Sequence, residues 1–214
     1  MSGSTGDFEL ELPNLGDDRA GLEELDDDLE LDGPDDDDED DADESDDDFD
    51  DYPEDAAEED IDLILALYRE EGQPVVVGLD LELANDLDAL MTQLRRIPGD
   101  AGALAMVSLA TEVFVLVRVR GKKVQVFLSD AGAAADWPIA RDVVDYLGID
   151  SPDEDEDTFP AGDLDILVDA GLPDFELEAL ASEYDEDSAG LLEQIAKKIK
   201  FGPEFSRTVS RSFD

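Results

Sequence analysis

Asp35-Asp36-Asp37-Asp38-Glu39-Asp40-Asp41, with Asp46-Asp47-Asp48 close behind, is a run of like charge that no apolar interior can hold. Its excess extends to the whole chain, where 63 Asp and Glu face 14 Lys and Arg, for a formal charge of -49. Spread evenly, that density would push a compact fold apart by self-repulsion. The charge is instead polarised: Arg19 is the one basic residue between Met1 and Tyr68. Residues 1–58 therefore read as a disordered acidic arm. Apolar side chains are scattered through it, and Phe8-Glu9-Leu10-Glu11-Leu12 alternates acid with apolar. That is the pattern of acidic segments that fold on a partner, and also of a solubilising tail with stray apolars.

The remaining 59–214 has enough apolar sequence for one modest core. Ile61 to Tyr68 and Gln73 to Leu79 read as two strands around a turn at Glu70-Glu71-Gly72. Leu83, Leu87, Leu90, Met91 and Leu94 recur at helical spacing, so Glu82 to Arg96 reads as an amphipathic helix stopped by Pro98-Gly99. Three more strands follow at Ala103 to Leu109, Glu112 to Arg120 and Lys123 to Leu128, the last two joined tightly through Gly121-Lys122. Val113 to Val117 is apolar without alternation, which marks a central strand covered on both faces. Ser129-Asp130 caps a small-residue turn, and Asp136-Trp137-Pro138 opens a second helix that Gly148 ends.

Residues 151–161 form an acidic linker. In 162–214, the apolar groups around Leu164, Phe175 and Leu191 predict three short helices, either packed on the sheet or tethered to it, and then a basic tail. The class expected is α+β: an antiparallel sheet with helices packed on one face of the 59–150 domain, plus a C-terminal helical segment.

Catalytic chemistry finds little to work with. Cysteine and histidine are both absent, so disulfides, thiolate metal sites and any Ser-His-Asp or Cys-His arrangement are excluded. Neither nucleotide-binding glycine loop occurs, and Gly121-Lys122-Lys123 is better read as a hairpin turn. Carboxylates such as Asp80, Asp130 and Asp163 are too numerous for any pair to stand out. Asp28, Glu30, Asp32-Gly33 and Glu39 fall at the spacing of a calcium loop, but Pro34 follows the glycine and no helices flank it. No catalytic, cofactor-binding or metal-binding residue is assigned, and no cofactor is expected.

Lys197, Lys198, Lys200, Arg207 and Arg211 gather near the C-terminus. They read as cations suited to a helix dipole, or as a surface for the acidic arm or for RNA. The segment Ser206 to Ser212 offers hydroxyls that could accept phosphate. The N-terminus has no secretory signal, and the longest apolar run, Ala101 to Val117, is too polar to span a bilayer. A cytoplasmic protein is expected. Its negative charge argues against direct contact with DNA, other phosphate backbones or anionic lipid, and favours a basic protein partner.

The strands Val113-Phe114-Val115-Leu116-Val117-Arg118-Val119 and Val124-Gln125-Val126-Phe127-Leu128, with Ser129-Asp130-Ala131 after them, resemble the actinobacterial tRNA adenosine deaminase-associated proteins. The likeness resumes at Gly162-Asp163-Leu164-Asp165-Ile166-Leu167-Val168-Asp169-Ala170-Gly171-Leu172. The resemblance implies association with a tRNA adenosine deaminase and carries no catalytic residues over. The deaminase needs His and Cys zinc ligands with a Glu as proton shuttle, and this chain lacks the ligands. It implies a non-catalytic accessory or regulatory role. A generic acidic chaperone or nucleic-acid mimic is the competing reading, and a hydrolase built on carboxylates alone is the remote one.

Overall fold

Alternate residues on every long strand point to opposite faces of the sheet, and here both faces are apolar. The structure is a computed structural model that describes residues 52–152, 157–183 and 185–212. The calcium-like pattern and almost all of the acidic arm lie outside those residues. Strands β1 (Ile61–Glu70), β2 (Gln73–Gly78), β3 (Ala103–Leu109), β4 (Val113–Arg120), β5 (Lys123–Leu128) and β6 (Ala161–Gly162) form one antiparallel sheet in the order β2-β1-β3-β4-β5-β6. β3 and β4 sit at its centre, as the unbroken apolar run of Val113 to Val117 requires.

One face carries Ile64, Ala66, Ala105, Val107, Val115, Val117, Val126 and Leu128. Helices α1 (Leu87–Arg96) and α2 (Pro138–Leu147) cover it through Leu90, Met91, Leu94, Ile139, Val143 and Val144. The other face carries Leu63, Leu65, Leu67, Leu104, Met106, Phe114, Leu116 and Phe127, with the two phenyl rings 6.0 Å apart. It is covered by a 3-10 segment, Leu164–Ala170, and by α3 (Asp174–Ala181), α4 (Ser188–Lys198) and α5 (Gly202–Ser212). The α+β class is therefore as expected, and the C-terminal helices form a second layer on the face opposite α1 and α2. Each large side chain so buried contributes about 1.5–3 kcal/mol.

Local differences from the sequence reading have local causes. The first helix is split, with a 3-10 turn at Leu81–Asn85 ahead of α1. Asp86 sits extended at φ -147° and caps α1 by accepting from the Ala89 amide. The polar tail after Phe201 is helix α5, which buries Phe205 against the sheet. Gly121 takes a positive φ of 59° in the β4–β5 hairpin, where Arg120 pairs with Lys123.

The β3–β4 corner is strained. Ala110 and Thr111 both take left-handed backbone, at φ 50° and 61°. Several bonds hold them there: Ala110 N–H donates to Asp60 O, Thr111 N–H to the Asp62 carboxylate, and Ser188 N–H to Thr111 O. A register shift in β1 between Ile61 and Leu63 frees Asp62, which also accepts from the Ser108 hydroxyl at 2.8 Å. Ser108 in turn meets Ser188 at 2.7 Å, tying the start of α4 to β3.

β2 is an edge strand, and its outer side is blunted. Leu79 N–H donates to Ile64 O, which fixes the parity of the ladder and turns Pro74, Val76 and Gly78 outward. Pro74 has no N–H to offer, and the Val76 carbonyl is taken by the Thr208 hydroxyl of α5 at 3.1 Å.

Candidate functional site

Antiparallel strands bring their loops to the two ends of the sheet, and the charges separate between those ends. At one end lie the entry to β1 with Glu58, Glu59 and Asp60, the segment after β2 with Asp80 and Glu82, the β3–β4 corner with Glu112, and Asp130 after β5. No Lys or Arg occurs in those loops. The other end holds the turn of β4 and β5 with Lys122 and Lys123, the last turn of α1 with Arg95 and Arg96, the end of β1 with Arg69, and Lys200 at the α4–α5 corner.

Two clefts open at this cationic end, on either side of the loop Ala101-Gly102. The first, of about 310 Å³, has an apolar floor from Leu67, Ala103, Leu104, Leu167 and Phe201. Its walls include Tyr68, Arg69, Arg118, Asp169 and Lys200. The Arg69 guanidinium lies 4.8 Å over the Phe201 ring and donates to Ile199 O. Lys200 holds left-handed backbone, φ 68°, where a helix usually places glycine. The second cleft is lined by Arg95, Ile97, Asp100, Val119 and Arg120.

A polar network braces the first cleft. Arg118, only 9% exposed on the central strand β4, donates to Ile166 O at 2.6 Å and bidentately to Asp169. Arg120 also donates to Asp169 and to Gln125, whose amide reaches Asp165. The hydrogen bond from Arg118 holds the Asp169 carboxyl below its usual range, with the charges of Arg118 and Arg120 adding to it against the cost of burial. The network fixes the 3-10 segment to the sheet and engages both Arg118 and Arg120 with the single carboxylate of Asp169.

A third cleft, of about 470 Å³, is acidic. Tyr52, Asp86, Asp88, Asp142, Asp145 and Tyr146 line it, and the Tyr52 hydroxyl donates to Asp142 at 2.7 Å. Burial, that hydrogen bond and the charges of Asp142, Asp145 and Asp86 push the Tyr52 phenol well above its usual value.

The residues singled out in the sequence are dispersed. Asp130 caps the 3-10 turn Ala131–Ala135 through Gly132 N–H and bonds the Thr158 hydroxyl. Asp163 accepts from Val126 N–H beside β5, and Asp80 caps the turn before α1 without a side-chain bond. Among the basic residues of the C-terminal segment, Lys197 pairs with Glu193, Lys198 with Glu176 and Arg207 with Glu204, whereas Lys200 lines the first cleft. Ser206 donates to Glu193 and Thr208 to Val76 O, so two of the four hydroxyls in that segment are engaged. Sequence reading missed Arg118 and Asp169. A charged residue ending an otherwise apolar central strand was the available signal.

Among the described residues no group of His, Cys, Asp and Glu is arranged to hold a metal ion. No helix there is long and apolar enough to cross a membrane. No solved structure matches the chain. Protein Rv3753c of Mycobacterium tuberculosis (strain ATCC 25618 / H37Rv) is 34% identical over 150 residues, spanning 69% of this chain and 87% of that protein. The family model for Rv3753c-like tRNA adenosine deaminase-associated proteins matches residues 62–202, from the first strand to the α4–α5 corner. The chain belongs to the Rv3753c-like tRNA adenosine deaminase-associated protein family.

Proposed function

We propose that the protein is a non-catalytic accessory partner of a tRNA adenosine deaminase, binding a basic surface of that enzyme. The observation that carries this reading is the reach of the family match, which covers the sheet and the helices as far as α4 and leaves the acidic arm and α5 outside. The shared role then belongs to the folded body, and the arm of this chain adds to it. A deaminase that grips tRNA must present Lys and Arg to phosphates. The arm and the acidic end of the sheet are complementary to such a surface, and electrostatic complementarity speeds encounter and rejects wrong partners. The protein would shield that surface, deliver the enzyme, or compete with RNA for it. A cytoplasmic location follows from the same reading.

The competing reading, a generic acidic binder, makes a different forecast. It has equal affinity for any basic protein of similar charge, whereas an accessory partner discriminates. Calorimetry of the full chain against the deaminase, with lysozyme as a basic control, at two salt concentrations separates them. Tighter binding to the deaminase that survives in part at high salt is expected. Equal binding to both proteins assigns the generic role, and no binding to the deaminase sinks the proposal.

A further inference from the structure

Net charge argues against RNA binding, but the charges are segregated and the cationic end is locally positive. Arg69, Arg95, Arg96, Lys122, Lys123 and Lys200 have no ion pair among the described residues. All but the half-buried Arg69 are exposed. Glu70, Glu71 and Asp100 stand nearby as the opposing acids, and the Asp100 carboxylate is partly occupied by Gly72 N–H. Register keeps these residues together. Tyr68 pairs with Ala103, Ala103 with Val119 and Arg120 with Lys123, so β1, β3, β4 and β5 all present their cationic ends on the same side. At ~4.8 Å between strands, those four span roughly 14 Å.

The first cleft adds what a bare cationic patch lacks. One face of the Arg69 guanidinium rests on Phe201, and Arg69 and an apolar floor line an open space of about 310 Å³. Unstacked bases are bound by stacking on arginine planes and aromatic rings, while neighbouring cations hold the phosphates. Lys200 lines this cleft despite a backbone conformation that costs a non-glycine residue stability.

We infer that the cationic end of the sheet binds single-stranded RNA, with one base in the cleft beside Arg69 and adjacent phosphates on Lys200, Lys122, Lys123, Arg95 and Arg96. The inference does not depend on binding to the deaminase. If both hold, the body contacts the RNA substrate from one end while the acidic parts of the chain address the enzyme.

The test is fluorescence anisotropy of the full chain with a labelled single-stranded RNA oligonucleotide, from 50 to 200 mM salt. Each single-strand phosphate contact contributes about -0.7 to the slope of log K against log salt. Removing two contacts in Lys122→Glu/Lys123→Glu should weaken binding by at least roughly 60-fold at 50 mM and flatten the slope by about 1.4. Arg69→Lys keeps the charge and removes the plane, so it should lose about tenfold with the slope unchanged. The control Arg207→Glu/Arg211→Glu on α5 should bind as the parent does. Absence of RNA binding at 50 mM, equal losses in the control, or an unchanged Arg69→Lys variant would overturn the inference. So would a poly-glutamate peptide that displaces the RNA at equal concentration, which would make an acidic protein segment the occupant.

Discussion

Removing either partner of the Arg118–Asp169 pair should cost stability unequally, because the two are buried unequally. The Arg118 side chain is 10% exposed and that of Asp169 is 50% exposed. Asp169→Ala leaves a guanidinium in the sheet with only the Ile166 carbonyl to receive it, and an unpaired buried charge costs about 3–5 kcal/mol. Arg118→Met strands the Ile166 carbonyl, at about 1–3 kcal/mol, but leaves Asp169 hydrated and still bonded to Arg120. The double variant should cost little more than Arg118→Met alone, because the pair that remains is the exposed one with Arg120, worth about 0–1 kcal/mol. Urea unfolding followed by far-UV circular dichroism at pH 7 measures all three, provided the m-value stays constant. Asp169 has a depressed carboxyl, so its contribution is present above the unfolded value near ~3.9 and is lost as pH falls through the folded one. The gap between parent and Asp169→Ala should therefore hold from pH 7 to about 4 and close below it. Additive costs in the double variant, or Asp169→Ala milder than Arg118→Met, would refute the reasoning.

Other outcomes follow from single positions. Phe205→Ala should cost about 3–5 kcal/mol in the same assay, since the ring is 2% exposed and pins α5 to the sheet. Thr111→Gly should stabilise the protein by about 1 kcal/mol, because φ 61° suits glycine and strains a β-branched residue; a lower urea midpoint would contradict this. Gly102→Ala should destabilise by more than 2 kcal/mol, roughly the upper part of the ordinary mutational range, since a Cβ would meet the Val119 carbonyl oxygen at 2.1 Å where φ is already +84°. An unchanged melting temperature would show that the loop at the cationic end gives way more easily than its packing indicates.

The sheet was legible because its signals are local. β3 and β5 fall where alternating or unbroken apolar runs place them, and the Gly121-Lys122 hairpin follows from two residues. The C-terminal layer was harder. Its apolar residues give helices, but which face of the sheet they cover is set by Leu63, Phe114 and Phe127, residues 37 or more positions away in the chain. Helix α5 hid behind Pro203 and a polar composition, since Phe205 and Val209 are its main apolar contacts with that core. The cationic end was invisible for a related reason. Arg69, Arg95, Lys122 and Lys200 are spread over more than half the sequence, and only the antiparallel register gathers them. What sequence did show, the Lys and Arg cluster near the C-terminus, proved mostly spent on neighbouring glutamates.

The blunted outer side of β2 also bears on how such a protein behaves in a crowded cell. A free strand edge is a template on which another extended chain can add, and an acidic protein with apolar segments of its own supplies such chains. Pro74 removes one rung of that template and the Thr208 hydroxyl occupies another. The last helix therefore acts as a stop against polymer growth as well as a cover for the sheet, into which it inserts Phe205. Cutting the chain at Lys200 would free the Val76 carbonyl and bare the apolar face under α5 at once, turning the β2 edge into a seed for strand-by-strand association.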